Sequence, residues 1–227
     1  MAPSGPVPVA DKGLVRLMKE SPVSGWDDAW KIGLTPWDSG DVQPALRDLI
    51  LFNELDLPKA GRALVPGCGT GYDATFIASH LGLDALAIDI SPTAVQAARD
   101  HFDRNPSAIS GAKVTFEAID FFELSVPDGQ HFNLIYDHTF FVAIPPVRRC
   151  DWGKQISALL KPGGYLITLV FPLNLPVDED GPPFFVKPEH YAEVLGEGWE
   201  KVLDKAPENS IPQRVGRERL VVYRKLL

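Results

Sequence analysis

The chain has 227 residues, 45% of them hydrophobic and 23% charged, with 30 acidic against 22 basic side chains and a formal net charge of −8. That is enough apolar material for the core of one domain, and the acidic balance argues against nucleic acid or an anionic membrane surface as a partner. The two cysteines, Cys68 and Cys150, are too few for a disulfide framework, and no apolar run approaches the ~20 residues of a membrane span. A cytoplasmic monomer is the expectation.

The start, Met1 to Ala10, is rich in proline and expected to be loose; it lacks the basic start and apolar centre of a signal peptide. A short helix is expected over Lys12 to Lys19. Trp26 to Trp37 is an aromatic-rich entry segment in which Trp26 and Trp30, four apart, share one helical face. Gln43 to Leu55 has apolar positions at helical spacing. Strands and helices then alternate. Arg62–Pro66 reads as a strand, Tyr72–His80 as a helix and Ala85–Ile90 as a strand. Ser91-Pro-Thr opens a helix to about Asn105, with Pro92 in its first turn. Lys113–Ala118 and Phe132–Tyr136 are further strands. Val147–Leu160 is helical and stops before Lys161-Pro-Gly-Gly164. Tyr165–Phe171 is a fifth strand, Pro188–Leu195 a helix, and Trp199–Leu203 with Leu220–Leu226 a closing strand pair. Near-continuous apolar strands alternating with helices imply a parallel sheet covered on both faces. Pro172 to Pro188 is a loop long enough to have a task.

The segment Leu64-Val-Pro-Gly-Cys-Gly-Thr-Gly-Tyr-Asp73 carries the chemistry. An apolar run ends in glycines at alternate positions, and a second run, Leu86-Ala-Ile-Asp89, ends in an acid. Asp89 follows Gly71 at close to the roughly 20 positions expected between such a loop and the acid that takes ribose hydroxyls. A dinucleotide fingerprint needs glycine where Tyr72 stands, and no Walker-type Lys follows. The pattern of Gly67, Gly69 and Gly71 is instead typical of S-adenosylmethionine (SAM) sites, where the loop passes beside the amino-acid part of the ligand. A packed small residue is the plainer role for Cys68. The five histidines are scattered, and no metal is expected.

Taken in order, Trp26-Asp-Asp-Ala-Trp30-Lys-Ile-Gly-Leu-Thr-Pro-Trp37-Asp, Leu64-Val-Pro-Gly-Cys-Gly69, Asp120-Phe-Phe, Leu134-Ile-Tyr-Asp-His138-Thr-Phe-Phe, Leu160-Lys-Pro-Gly-Gly164, Gly181-Pro-Pro-Phe184 and Ile211-Pro-Gln-Arg-Val-Gly216 resemble the thiopurine methyltransferase superfamily. The closest resemblance is to its plant and fungal thiol/halide methyltransferase branch, from about residue 26 to the C-terminus. It implies a Rossmann-like α/β class I methyltransferase fold, a mostly parallel seven-stranded sheet with helices on both faces. The implied domain spans residues 26–227, with a cofactor lid at 26–40, behind a partly flexible arm at 1–25.

The resemblance also implies the cofactor site. Trp26, Trp30 and Trp37 match tryptophans that close over SAM. Gly67 and Gly69 belong to the loop beside methionine, Asp89 matches the ribose acid, and Asp120 with Phe121 lies by the adenine. His138 matches a residue that lines the cofactor site beside the sulfonium; it stands where the plant branch commonly has Tyr and the mammalian enzymes Arg, a departure that bears on substrate preference. Phe171 likewise stands where plant sequences tend to have Tyr. Asp137, His138 and Arg214 are the candidate substrate contacts. A neutral His138 imidazole would exchange a hydrogen bond with a substrate sulfur, whereas an imidazolium would attract an anion. Arg214, in a Pro-flanked loop, reads equally as a substrate contact or a solvated charge.

The expected activity is SAM-dependent S-methylation of a small thiol or hydrosulfide, with halides or thiocyanate as further nucleophiles and S-adenosylhomocysteine (SAH) as co-product. A methyltransferase of a larger metabolite and a non-catalytic SAM binder remain as alternatives. A nicotinamide enzyme is disfavoured by Tyr72.

Overall fold

The structure is a computed structural model that describes residues 11–105, 111–177 and 180–226. The proline-rich start, residues 1–10, lies outside the described residues. In chain order the elements are helices α1 (Lys12–Glu20), α2 (Ser24–Lys31) and α3 (Pro44–Leu51), strand β1 (Arg62–Pro66), α4 (Tyr72–Leu81), β2 (Asp84–Asp89) and α5 (Pro92–Arg104). Then follow β3 (Val114–Ala118), β4 (Phe132–His138), α6 (Arg149–Leu159), β5 (Leu160–Val170), α7 (Pro188–Leu195), β6 (Trp199–Lys205) and β7 (Arg219–Lys225).

The seven strands form one sheet in the order β3-β2-β1-β4-β5-β7-β6. β1 to β5 are parallel, and β7 inserts antiparallel between β5 and β6. The alternation of strand side chains divides the core in two. Ala63 and Val65 of β1 join Ile77 and Leu81 of α4 and Val95 and Ala98 of α5 on one face. Leu64 joins Trp152 and Ile156 of α6 and Tyr191 of α7 on the other. Both faces are therefore covered, which is why these strands read as unbroken apolar runs. Full burial of a side chain such as Leu64 is worth about 1.5–3 kcal/mol.

Several boundaries differ from the sequence reading for local reasons. α3 ends at Leu51 rather than near Leu55, because Asn53 turns the chain through a left-handed conformation, φ 49°. α6 begins at Arg149 rather than Val147; Pro146 opens a 3-10 turn over Pro146–Arg148 instead. β5 reaches back to Leu160, which pairs with Phe132 across a register irregularity, so the Lys161-Pro-Gly-Gly164 segment lies within the strand. β4 runs on to His138, beyond the expected Tyr136. β3 stops at Ala118 as expected, and Asp120 caps the 3-10 turn Phe121–Glu123, accepting from the Phe122 N–H at 2.9 Å.

The helices at the start of the chain pack as a unit. Leu14 and Met18 of α1 bury against Ala29 of α2, with Trp26, Leu34 and Trp37 around them. A boundary at 25/26 therefore cuts through one packing unit. Asp27 of α2 docks on the N-terminus of α5, where its Oδ1 accepts from Ser91 Oγ at 2.7 Å and the Thr93 N–H at 2.9 Å. A carboxylate is favoured at a helix N-terminus. Burial pushes the Asp27 carboxyl up, but hydrogen bonds from Lys31, Thr93 and Ser91 outweigh it and hold the group well below its usual range.

Candidate active site

The loop between β1 and α4 needs its glycines. Gly67, Gly69 and Gly71 have φ of 59°, 51° and 77°, in the left-handed region. A Cβ on Gly67 would lie 2.6 Å from the Phe140 ring, and one on Gly71 2.5 Å from Phe116. The Cys68 N–H donates to Ile88 O at 2.9 Å, tying the loop to β2. Asp89, at the end of β2, accepts from the Gly69 N–H at 3.1 Å and the Ser91 N–H at 2.9 Å. Burial raises its carboxyl above the usual range, with hydrogen bonds from the Ser91, Gly69 and Ile90 N–H groups acting against it. A carboxylate has about four acceptor positions, so Asp89 keeps capacity for at least one hydroxyl donor. Burial and then the nearby Asp89 push the Cys68 thiol well up, which makes it a packed thiol rather than a nucleophile.

A cleft of about 960 Å³ crosses the carboxyl ends of the parallel strands, where open α/β sheets bind ligands. Sheet order lays out its lining. Asp89, Ile90, Asp120 and Phe121 follow β2 and β3; Gly67, Thr139 and Phe140 follow β1 and β4; Phe171 follows β5, and Arg214 precedes β7. Trp26, Trp30 and Trp37 line the same cleft. Trp37 stands edge-on to both partners, with ring centroids 5.4 Å from Trp26 and 6.3 Å from Trp30.

Beside the cleft, and sharing Trp30, Trp37, Gly67 and Thr139 with it, is a chamber of about 50 Å³ that also touches Gly69, Asp73, Tyr136 and His138. Arg214, which lines the larger cleft, is 4% exposed, so it is not a solvated charge. Its Nη1 donates to Gln43 Oε1 at 3.1 Å and to His138 Nε2, and its Nη2 to Trp37 O at 3.3 Å. The guanidinium can only donate, so His138 Nε2 must accept, and the imidazole is the neutral Nδ1–H tautomer. Burial first, and Arg214 second, hold the His138 pKa well below its usual value. The imidazolium that would attract an anion does not form, and the Nε2 lone pair is already taken.

Asp73, in the first turn of α4, accepts from the Gln43 N–H at 3.0 Å and lies 3.8 Å from His138 Nδ1. Burial drives its carboxyl up to about 7, against the Gln43 hydrogen bond and Arg214. Thr139, directly after His138, has φ 59°, strained for a β-branched residue and typical of a functional loop.

Asp137 falls on the other side. Neighbouring residues on a strand face opposite ways, and while His138 faces the chamber, Asp137 is fully buried in the opposite core. It accepts from the Phe141 N–H at 3.2 Å and Trp152 Nε1 at 3.0 Å, and lines neither cavity. The expected trio of Asp137, His138 and Arg214 is thus a pair. The sequence reading gave no role to Asp73, Gln43, Tyr136 or Thr139. Asp73 alone had a signal, its place at the end of the glycine loop. Among the described residues no group of three His, Cys or acidic side chains is disposed to hold a metal, and no helix is long and apolar enough to cross a membrane.

The sheet order, the glycine loop and the strand-end acid define a class I methyltransferase fold. Among solved structures, magnesium protoporphyrin IX methyltransferase from Synechocystis, with bound SAH, superimposes at a TM-score of 0.66 with 15% identity, covering 93% of this chain and 99% of that one. The thiopurine S-methyltransferase (TPMT) family pattern matches residues 22–224, and the chain belongs to that family. It is 39% identical over 211 residues to a probable thiol methyltransferase 2 of Arabidopsis thaliana, covering 92% of this chain and 88% of the relative. It is 38% identical to thiocyanate methyltransferase 1 of Brassica oleracea, covering 89% and 85%. A thiopurine S-methyltransferase of Pseudomonas fluorescens is more distant, at 29% over 184 residues.

Proposed function

We propose that this protein methylates the sulfur of small thiols and hydrosulfide, with SAM as the donor and SAH as the co-product, and that thiocyanate and halides are further acceptors. The observation that carries this reading is the single cleft that joins Asp89, Asp120 and Phe121 to Arg214 past the glycine loop, in a chain of this family. When bound, SAM supplies an electrophilic methyl group. Asp89 takes the ribose hydroxyls with its spare acceptor positions, Asp120 and Phe121 receive the adenine, and Gly67 and Gly69 admit the methionine part. Trp30 and Trp37 offer aromatic faces that favour a sulfonium.

The thiolate sulfur forms the new S–C bond as the methyl's bond to the donor sulfur breaks, the electron pair staying on that sulfur. Protein groups placed to take the thiol proton are few. His138 has its Nε2 occupied, Asp137 is turned away, and Cys68 is a raised, packed thiol. In this reading the proton is lost to solvent, Asp73 being the one chamber carboxylate otherwise poised to take it, and His138 and Arg214 orient the acceptor.

The test is a panel of thiols, sulfide, halides and a phenol with labelled SAM, each followed against pH. For thiols, kcat/KM is expected to rise up to the substrate's own pKa, about 8.5 for a cysteine-like thiol. A more acidic aromatic thiol moves the rise to lower pH, and a halide shows none. An inflection fixed near 7 across all thiols would instead assign proton removal to Asp73, the one carboxylate of the chamber raised to that value. Turnover of the phenol but of no thiol would overturn S-methylation.

Residues 26–40 act in this reading as a lid. They are pinned at Asp27 to α5 and at Trp37 to Arg214, and Thr70 Oγ1 of the glycine loop donates to Asp38 at 2.6 Å. SAM is expected to slow limited proteolysis between residues 11 and 40 and to shift the Trp fluorescence. Equal cleavage rates with and without SAM would remove the lid role.

A further inference from the structure

The substrate end of the cleft carries two guanidinium groups against one aromatic ring. Arg214 lies 4.4 Å and Arg217 5.2 Å from the centroid of Phe171, with the apolar walls Pro182, Pro183 and Ile211 nearby. The Arg217 N–H donates to Arg214 O at 2.9 Å, so the two arginines are joined through one tight turn. Arg214 is spent inward, on His138, Gln43 and Trp37.

Arg217 is held but not used up. Its Nε donates to Asn174 Oδ1 at 2.9 Å and its Nη1 to Gln213 O at 2.9 Å, both neutral acceptors. Its Nη2 is buried with no hydrogen-bond partner among the described residues, and the residue lines the cleft. Desolvation lowers its pKa, and no carboxylate is among the causes acting on it. A chain of net charge −8 thus places a fixed, oriented and uncompensated cation at the mouth of its active site. A buried donor left without a partner is unfavourable, and an ionised acceptor satisfies it best.

We infer that Arg217 is a specificity residue that binds a second, non-reacting anionic group on the acceptor, so that the favoured substrates are short organic thiols bearing a carboxylate. This rests on the methyl-transfer reading above and names its substrate class. Hydrosulfide and halides fill only the inner end, by Arg214 and the adjoining chamber that His138 lines; a carboxylate one short spacer away reaches Arg217. The carboxylate takes no part in the transfer.

The experiment compares 3-mercaptopropionate with its methyl ester, which differ only at the far end, an anionic carboxylate against an uncharged ester. In the parent enzyme the acid is expected to have the higher kcat/KM per thiolate present. In Arg217→Gln the acid-to-ester ratio of kcat/KM is expected to fall about tenfold or more, mostly through KM, and Arg217→Lys is expected to restore part of it. A ratio unchanged in Arg217→Gln overturns the inference. Calorimetry of 3-(methylthio)propionate binding to the SAH complex reads the same subsite without turnover. Binding lost in Arg217→Gln, in protein with unchanged Tm and SAH affinity, upholds the subsite even if no thiol is methylated; equal binding in parent and variant overturns it.

Discussion

Asp89→Ala is expected to weaken SAM binding by about 1.5–3 kcal/mol, roughly tenfold to 150-fold in Kd, the range for hydrogen bonds to a charged group. The carboxylate sits at the end of β2 with two acceptor positions taken by the N–H groups of Gly69 and Ser91. Asp89 lines the cleft, and in the proposed reading its remaining capacity takes the ribose hydroxyls. The alanine variant loses those contacts and also frees the Gly69 N–H, which loosens the loop beside the methionine part. Asp89→Asn keeps one carbonyl acceptor and the side-chain shape, so it should fall between parent and alanine. Calorimetry with SAM and SAH, on variants whose thermal unfolding confirms the fold, decides the matter. Unchanged affinity in Asp89→Ala would end the assignment of Asp89 to the ribose.

Asp73→Asn is expected to make the unliganded protein more stable while weakening its grip on SAM. Burial drives the Asp73 carboxyl from its ordinary value up to about 7. The folded state therefore keeps this proton to higher pH than the unfolded state does. Stability then falls as pH rises from about 4 to about 7, and above that the full penalty of a buried charge remains, on the order of 4 kcal/mol at most. Asparagine has nearly the same shape, still accepts from the Gln43 N–H, and carries no charge. Its advantage in Tm should be largest at pH 8 and vanish below about pH 4. Asp73 lines the chamber with Gly67 and Gly69, and in the proposed reading its charge matches the ammonium of the methionine part, so the same variant should bind SAM less well. Such a division of stability from function is common where a site holds strain. A variant that is less stable at every pH, with normal SAM affinity, would show Asp73 to be an ordinary structural acid.

Much of the frame was legible because it is local. β1, from Arg62 to Pro66, and the cap and first-turn proline of α5, Ser91 and Pro92, follow from apolar runs and end chemistry that neighbours in sequence decide. The alternate glycines and the acid after the next strand were equally readable, since backbone conformation and spacing fix them. What could not be read depends on residues far apart. Arg214 meets Gln43 across 171 positions and His138 across 76. Those contacts decide whether His138 is charged and whether Arg214 is buried. No periodicity reports them. Asp137 was misplaced for a simpler reason. Its strand runs two residues further than the apolar pattern suggested, and alternation along β4 turned its carboxylate to Trp152 rather than to the cleft.

The insertion of β7 between β5 and β6 has a consequence for the nascent chain. Every residue assigned to the methyl donor, from Trp26 to Phe121, emerges from the ribosome before the sheet can close. The wall that meets the acceptor, with Arg214 and Arg217, is synthesised last and is fixed only when β7 slides in beside β5. The half that holds the reactive methyl group is thus assembled first, and the half that admits a nucleophile is completed by the final strand of the sheet.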